Sequence, residues 1–262
     1  MTATPADASA LTPSPRPGAA PLPRMVRAQA GVELVQLLRN GEQLLLTLVI
    51  PVVLLVVLVK VDVVDLGPGP RVDFVLPGVL ALAVLSTAFT GQAIATGYER
   101  RYGVLKRLGT TPLPRGGLLA GKTTAVLAVE ALQVVVLVLV GVLLGWRPSA
   151  IAVAPAVLLV VLGTLAFSGV ALLMAGTLRA EATLAAANLV YVLLLLGSGI
   201  VVPLSRFGEQ TQRVLQWLPS TALVDGLRAS LAGAAVPQRV WVVLVVWSVV
   251  GVAAAARWFR WE

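Results

Sequence analysis

The 262 residues carry a net charge of +8, yet only 12% of them are charged and 58% are hydrophobic. A soluble domain has about 25% charged residues because its surface faces water, so a water-soluble globule is excluded and the outside of this chain faces lipid. With no Cys and no His, disulfides, zinc or haem ligation through those residues, and Cys or His nucleophiles are excluded as well.

Residues 1–23, "MTATPADASALTPSPRPGAAPLP", lack the apolar run of a secretory signal and are expected as a disordered cytoplasmic tail. Residues 24–43 are expected as an amphipathic helix lying in the membrane interface. Met25, Val26, Val32, Val35, Leu37 and Leu38 alternate there with Arg27, Glu33, Gln36 and Arg39, and Asn40-Gly41 supplies a stop.

Residues 44–262 are expected as one all-α membrane domain of six transmembrane helices, at about 44–60, 74–97, 118–145, 150–178, 184–203 and 240–256. An even number of spans puts both termini on one side. Of the 20 Lys and Arg, thirteen fall in the tail, the first helix, the loop after the second span, Arg179 and the C-terminal "RWFRWE". The positive-inside rule therefore makes both termini cytoplasmic. The excess of basic residues suits anionic headgroups; nucleic acid is not an expected partner, because no basic stripe with interleaved aromatics occurs.

The most charged loop is "GYERRYGVLKRLGTTPLPRGGLLAGK", Gly97 to Lys122. Its spacing predicts a short amphipathic helix over Glu99–Leu108, with Tyr102, Leu105 and Leu108 near one face, stopped by Gly109. Running one residue past the loop's end, "GGLLAGKT" (residues 116–123) matches the P-loop pattern G-x-x-x-x-G-K-[ST]. A working P-loop joins a buried strand to a helix N-terminus. Here two prolines precede the motif and a membrane span follows it. Gly116 and Gly117 are read as relaxing the chain after Pro114, and Lys122 as snorkelling to headgroups.

Glu130 lies roughly 12 Å along the third span from Lys122, at 1.5 Å per residue. A carboxylate at that depth is costly, which makes it a functional candidate. Gln133, Gln92 and Asn188 are polar positions of the same kind, and equally suited to helix packing. Residues 204–237 form a long outer segment whose apolar positions break at Pro219; one or two short helices on, or dipping into, the outer leaflet are expected.

A first helix ending "LLRN" before a Pro-containing span, and "YERRYGVLKRLGTTPL" after the second span, are similar to the pattern of one family. On these residues the chain resembles the membrane subunit of an ABC-2 type exporter, the class that includes daunorubicin-resistance-like permeases. The second stretch matches E-R-x-x-G-T-L-x-x-L-x-x-T-P-L, with Val104 where the family often has Thr.

The resemblance implies a multi-pass export permease of a bacterial plasma membrane, and the apolar interior with few aromatics (5%) suits an amphiphilic drug-like or lipid-like substrate. It also implies dimerisation with a second permease, and a separate ATP-binding subunit carrying ATP and Mg, with no cofactor bound by this chain. Coupling to that subunit would pass through Glu99, Arg100, Arg101, Gly103, Leu105, Lys106, Arg107, Leu108, Thr110 and Pro112. A secondary transporter or channel with no ATPase is the alternative, and a purely structural scaffold another. An intramembrane enzyme finds no metal ligands and no paired carboxylates in the spans.

Overall fold

Pro21 and Asn40 bracket the first helix, α1 (Leu22–Arg39), in a computed structural model that describes residues 18–61, 69–147, 150–200 and 208–261. Residues 1–17 of the expected tail, and the start of the expected outer segment, lie outside the described residues. Pro21 is extended and precedes a proline-tolerant first turn; Asn40 leaves helical geometry and makes an elbow into α2 (Gly41–Lys60). Val32, Val35 and Leu38 of α1 face outward while Ala30 and Glu33 face inward. That outward apolar stripe is what an interfacial helix offers to acyl chains.

All regular elements among the described residues are helical. Among the described residues the longest apolar helical run, at the expected second span, goes without interruption from Arg71 to Arg101 and is the most deeply buried. It comprises α3 (Arg71–Val84), a π-helical segment (Leu85–Gly91) and α4 (Gln92–Arg101), and it packs against α2, α6, α7, α8 and α10. At its start the Arg71 guanidinium donates to Leu58 O and Val61 O, at the C-terminal end of α2.

The expected helix over Glu99–Leu108 is interrupted. Gly103 has φ 72°, the left-handed conformation that glycine adopts without Cβ strain. It divides α4 from α5 (Val104–Leu108). Tyr102 consequently points out and stacks on Tyr98, while Leu105 is buried. The remaining helices are α6 (Arg115–Leu143), α7 (Ala150–Thr177), α8 (Ala180–Gly197), α9 (Glu209–Leu215), α10 (Pro219–Leu231) and α11 (Gln238–Trp258).

Five helices among the described residues are long and apolar enough to cross a membrane; the apolar helix Thr47–Lys60 within α2 is shorter. The helices fit expected spans two to six with shifts of a few residues at their ends. The outer segment breaks at Pro219 as its sequence suggests, but α10 goes further in than a surface helix. It sits among α3, α7, α8 and α11 with most of its residues buried. Ser220 Oγ donates to Leu194 O and Thr221 Oγ1 to Gly197 O, fixing α10 to the end of α8. Arg239 bonds Asp225 at 3.0 Å, and Arg228 lies 3.9 Å over the Phe74 ring while donating to Gly199 O. Burial pushes the Asp225 carboxyl upward, and Arg239 partly offsets this.

The closest helix pair is α7 with α11. A Cβ added at Gly169 would lie 2.5 Å from the backbone carbon of Gly251, so the two main chains touch through glycine, as small-residue crossings in membranes allow. Ser248 Oγ donates to Leu162 O nearby. Gly169→Val should therefore separate α7 from α11 and lower stability by about 1–3 kcal/mol or more. Unfolding by graded SDS in mixed micelles reads this; an unshifted midpoint would show that the crossing can relax.

Candidate functional site

Two groups of side chains stand out, one inside the helix bundle near the α1–α2 elbow and one outside it on α5. The inner group begins with Lys122. It does not snorkel: its side chain is 4% exposed, and Nζ lies 2.8 Å from Glu33 Oε1 and 2.6 Å from Glu99 Oε2. One ammonium thus ties three elements together, α1 through Glu33, α4 through Glu99 and α6 through itself. Gln29 Nε2 also donates to Glu33 Oε1 at 2.7 Å, which fixes that carboxylate on its own helix.

The approach of α1 to α6 depends on two glycines of "GGLLAGKT". A Cβ at Gly117 would lie 3.2 Å from Leu22 Cδ1 of α1 and 2.7 Å from Leu113 Cδ1 of the preceding loop, and one at Gly121 would lie 2.8 Å from Gln29 Cγ of α1. Spaced four apart, Gly117 and Gly121 share one face of α6. They form a small-xxx-small groove that receives α1. The stretch is helical throughout, so Gly116 and Gly117 are not a loosened linker. From Leu118 onward the amides bond back along the helix instead of facing a phosphate.

Above Lys122 a polar stripe continues. Gln133 Nε2 donates to Thr47 O at 3.1 Å, and its amide bonds Thr87 Oγ1, joining α6 to α2 and the π-helical segment. Glu130 faces the other way, toward α7, where its Oε2 shares a hydrogen bond with Thr164 Oγ1. The Thr164 hydroxyl also lies 2.8 Å from Val160 O. Glu130, 1% exposed, is therefore a contact between α6 and α7. Asn188 is brought to neither; it is exposed on α8 beside Leu189. The three intramembrane candidates do not make one site.

The outer group divides the ten coupling candidates. Leu105 is fully buried in a cluster with Leu113, Leu118, Leu119, Leu172, Ala255 and Phe259, and Leu108 packs at its edge. Glu99 belongs to the Lys122 triad. Arg100 donates to Ala175 O and Leu178 O at the C-terminus of α7, a favourable end for a cation. Arg101 pairs with Glu181 at 2.6 Å at the surface. Lys106, Arg107, Thr110 and Pro112 face outward, together with Tyr102 and Val104. Thr110 and Thr111 hydroxyls donate to Arg107 O and Leu108 O, closing the end of α5. Gly103 is the bend.

The C-terminal segment braces this loop. Phe259 is fully buried against Gly176, Trp261 meets Phe259 edge-on with ring centres 6.0 Å apart, and the indole lies against Gly109. Trp261 is therefore a packing residue in addition to any interfacial role, whereas Trp258 is exposed. The braced α5, the start of α1 and the C-terminus all lie at one end of the molecule.

Residues 27–232, which hold most of α1, packed on α6, and the short helix α5, match the ABC-2 type transporter family. The chain belongs to the ABC-2 type transporter family. No match was found among curated proteins. An ABC-2 membrane domain is a permease, so this ABC-2 chain is a multi-pass membrane component of an ABC transporter, and the family implies partnership with an ATP-binding subunit.

Glu33 was legible only as a polar position on α1. Its part in the ABC-2 chain's inner group comes from a partner far along the sequence. The signal for Gln92 and Thr96 is their spacing with Glu99, at i, i+4 and i+7 on one face of α4.

Proposed function

We propose that the chain is the permease half of an ATP-driven exporter and moves an amphiphilic drug-like or lipid-like substrate outward. It would pair with a second permease and with separate ATP-binding subunits that hold ATP and Mg. The observation that carries this reading is the division of α5. One face is locked by Leu105 into a cluster that includes α6, α7 and α11, and the other is an outward row of Val104, Lys106 and Arg107. A helix built that way transmits a push from a docked partner to the spans without itself deforming.

The same reading makes α2 the first of six spans, since 20 residues at 1.5 Å per residue give about 30 Å. It places the α5 end, with both termini, in the cytoplasm, supported by the basic residues gathered there. On ATP binding, closure of the partner would push α5 and α1 together. The inner triad, which joins α1 to α4 and α6, would pass the displacement into the second and third spans. Such coupling requires contacts that differ between the two end states.

The chain contains no cysteine, so single-cysteine variants report topology without background. Lys106→Cys should react with a membrane-impermeant maleimide only after the cytoplasmic side is opened, and Gln210→Cys on α9 should react in intact cells. The full chain, captured from its own membrane, should carry a protein with a genuine P-loop and show ATPase activity. Lys106→Cys reacting from outside, or a chain that transports with no ATPase attached, would overturn the proposal.

A further inference from the structure

Between α1, α2, α4 and α6 lies a cavity of about 160 Å³, lined by Glu33, Thr87, Gln92, Thr96, Glu99 and Lys122 among others. Its charged lining residues are two carboxylates and one ammonium, a formal excess of one negative charge. Two further lining groups have no partner at all: both amide atoms of Gln92, 6% exposed, and the Thr96 hydroxyl, 1% exposed. Buried polar groups of native proteins are nearly always hydrogen-bonded, and leaving them unpaired is costly. Gln92, Thr96 and Glu99 stand on one face of α4 and all line this space.

Two carboxylates set against one ammonium favour a cation over an anion, and the groups present say which kind. Among the described residues, no cluster of three or more Asp, Glu, His or Cys is placed to hold a metal ion, and divalent ions want six or more oxygens. An ammonium group needs only about three acceptors. Gln92 Oε1, Thr96 Oγ1 and the Glu99 carboxylate are three acceptors on residues that line this cavity, and Lys122 already pairs its ammonium with this carboxylate. The volume equals about five water molecules, too small for a whole drug-sized ligand but sufficient for a protonated amine on a short stem.

We propose that the cavity between Gln92, Thr96 and Glu99 is a binding site for a primary ammonium group. A soluble amine or the ethanolamine head of a phospholipid could each present that group, and the chemistry of recognition is the same. The site belongs to the chain alone and does not depend on the ATP-coupled reading, so each can fail without the other.

The test uses the full chain in phosphatidylcholine nanodiscs, whose quaternary head has no N–H to donate. Ethylammonium chloride is titrated calorimetrically against sodium chloride and tetramethylammonium chloride at matched ionic strength. The expected result is saturable binding of ethylammonium only, weakened at least tenfold in Gln92→Leu and several-fold in Thr96→Val, both checked for an unchanged unfolding midpoint. If Gln92→Leu does not fold, Thr96→Val carries the comparison. With binding established, repetition in phosphatidylethanolamine nanodiscs identifies the source: loss of the ethylammonium response assigns the site to the lipid head, and its persistence to a soluble amine. Absence of saturable binding in phosphatidylcholine, an equal response to sodium or tetramethylammonium, or unchanged affinity in the folded variants would each overturn the proposal.

Discussion

Replacing Lys122 with Met should destabilise the folded chain by about 3–5 kcal/mol, the range found when one partner of a buried ion pair is removed. The variant keeps the length of the stem but leaves Glu33 and Glu99 facing each other with no cation between them. Their repulsion acts between α1 and α4, and the tie from α1 to α6 is lost with the ammonium, so α1 should be the first element to detach. Limited proteolysis of α1 and the midpoint of SDS unfolding both read this.

A second variant separates charge from shape. Changing Glu33, Glu99 and Lys122 together to Met should recover most of the lost stability, because well-packed apolar residues replace a buried triad at little cost. A Lys122→Met chain as stable as the parent would mean that the ammonium was hydrated at the headgroups after all. A lysine of a working P-loop would behave differently again, losing nucleotide affinity and leaving stability alone.

The next largest effect is expected on α5, where inward and outward residues should fail in different ways. Leu105→Ala removes a fully buried side chain from the cluster with Leu172 and Phe259, and should cost about 2–5 kcal/mol. Arg107→Glu changes an exposed side chain and should leave stability within about 0.5 kcal/mol. It should nevertheless weaken association with the ATP-binding subunit at least tenfold, since like-charge juxtaposition at an interface costs several kcal/mol. Unfolding midpoints and co-purification yields, measured on the same two preparations, decide the matter. Equal loss of stability in both would deny that α5 has two functional faces; unchanged association in Arg107→Glu would remove the docking role from this row.

Much of this architecture is legible in the residues. Apolar runs of sufficient length mark the spans, Asn40-Gly41 marks the elbow, and Pro219 marks the break before α10, because each is a local constraint on backbone geometry. What the sequence hides is depth and partnership. The spacing of Leu218, Leu223 and Leu227 announces an amphipathic helix, but only packing against α3, α7, α8 and α11 turns it inward. Lys122 looks like a headgroup anchor because it stands near the end of an apolar run. Its two carboxylates come from other helices, and a one-dimensional pattern does not bring them together. Gly103 was visible but ambiguous: the periodicity of Tyr102, Leu105 and Leu108 argues for one helix, and the left-handed turn at Gly103 breaks it. The π-helical segment Leu85–Gly91 leaves no compositional mark at all.

The glycines of "GGLLAGKT" carry a consequence for how lineages of this chain can drift. A Cβ at Gly116 would meet nothing within 4 Å, whereas Gly117 and Gly121 have no room for one without movement of Leu113 or Gln29. A phosphate-binding loop constrains the first and sixth positions of its pattern and leaves the second open. Natural selection on a groove for α1 constrains the second and sixth and releases the first. Descendants of this sequence should therefore vary freely at 116 while holding 117, so the resemblance to a nucleotide motif would dissolve by substitution even as the fold persists.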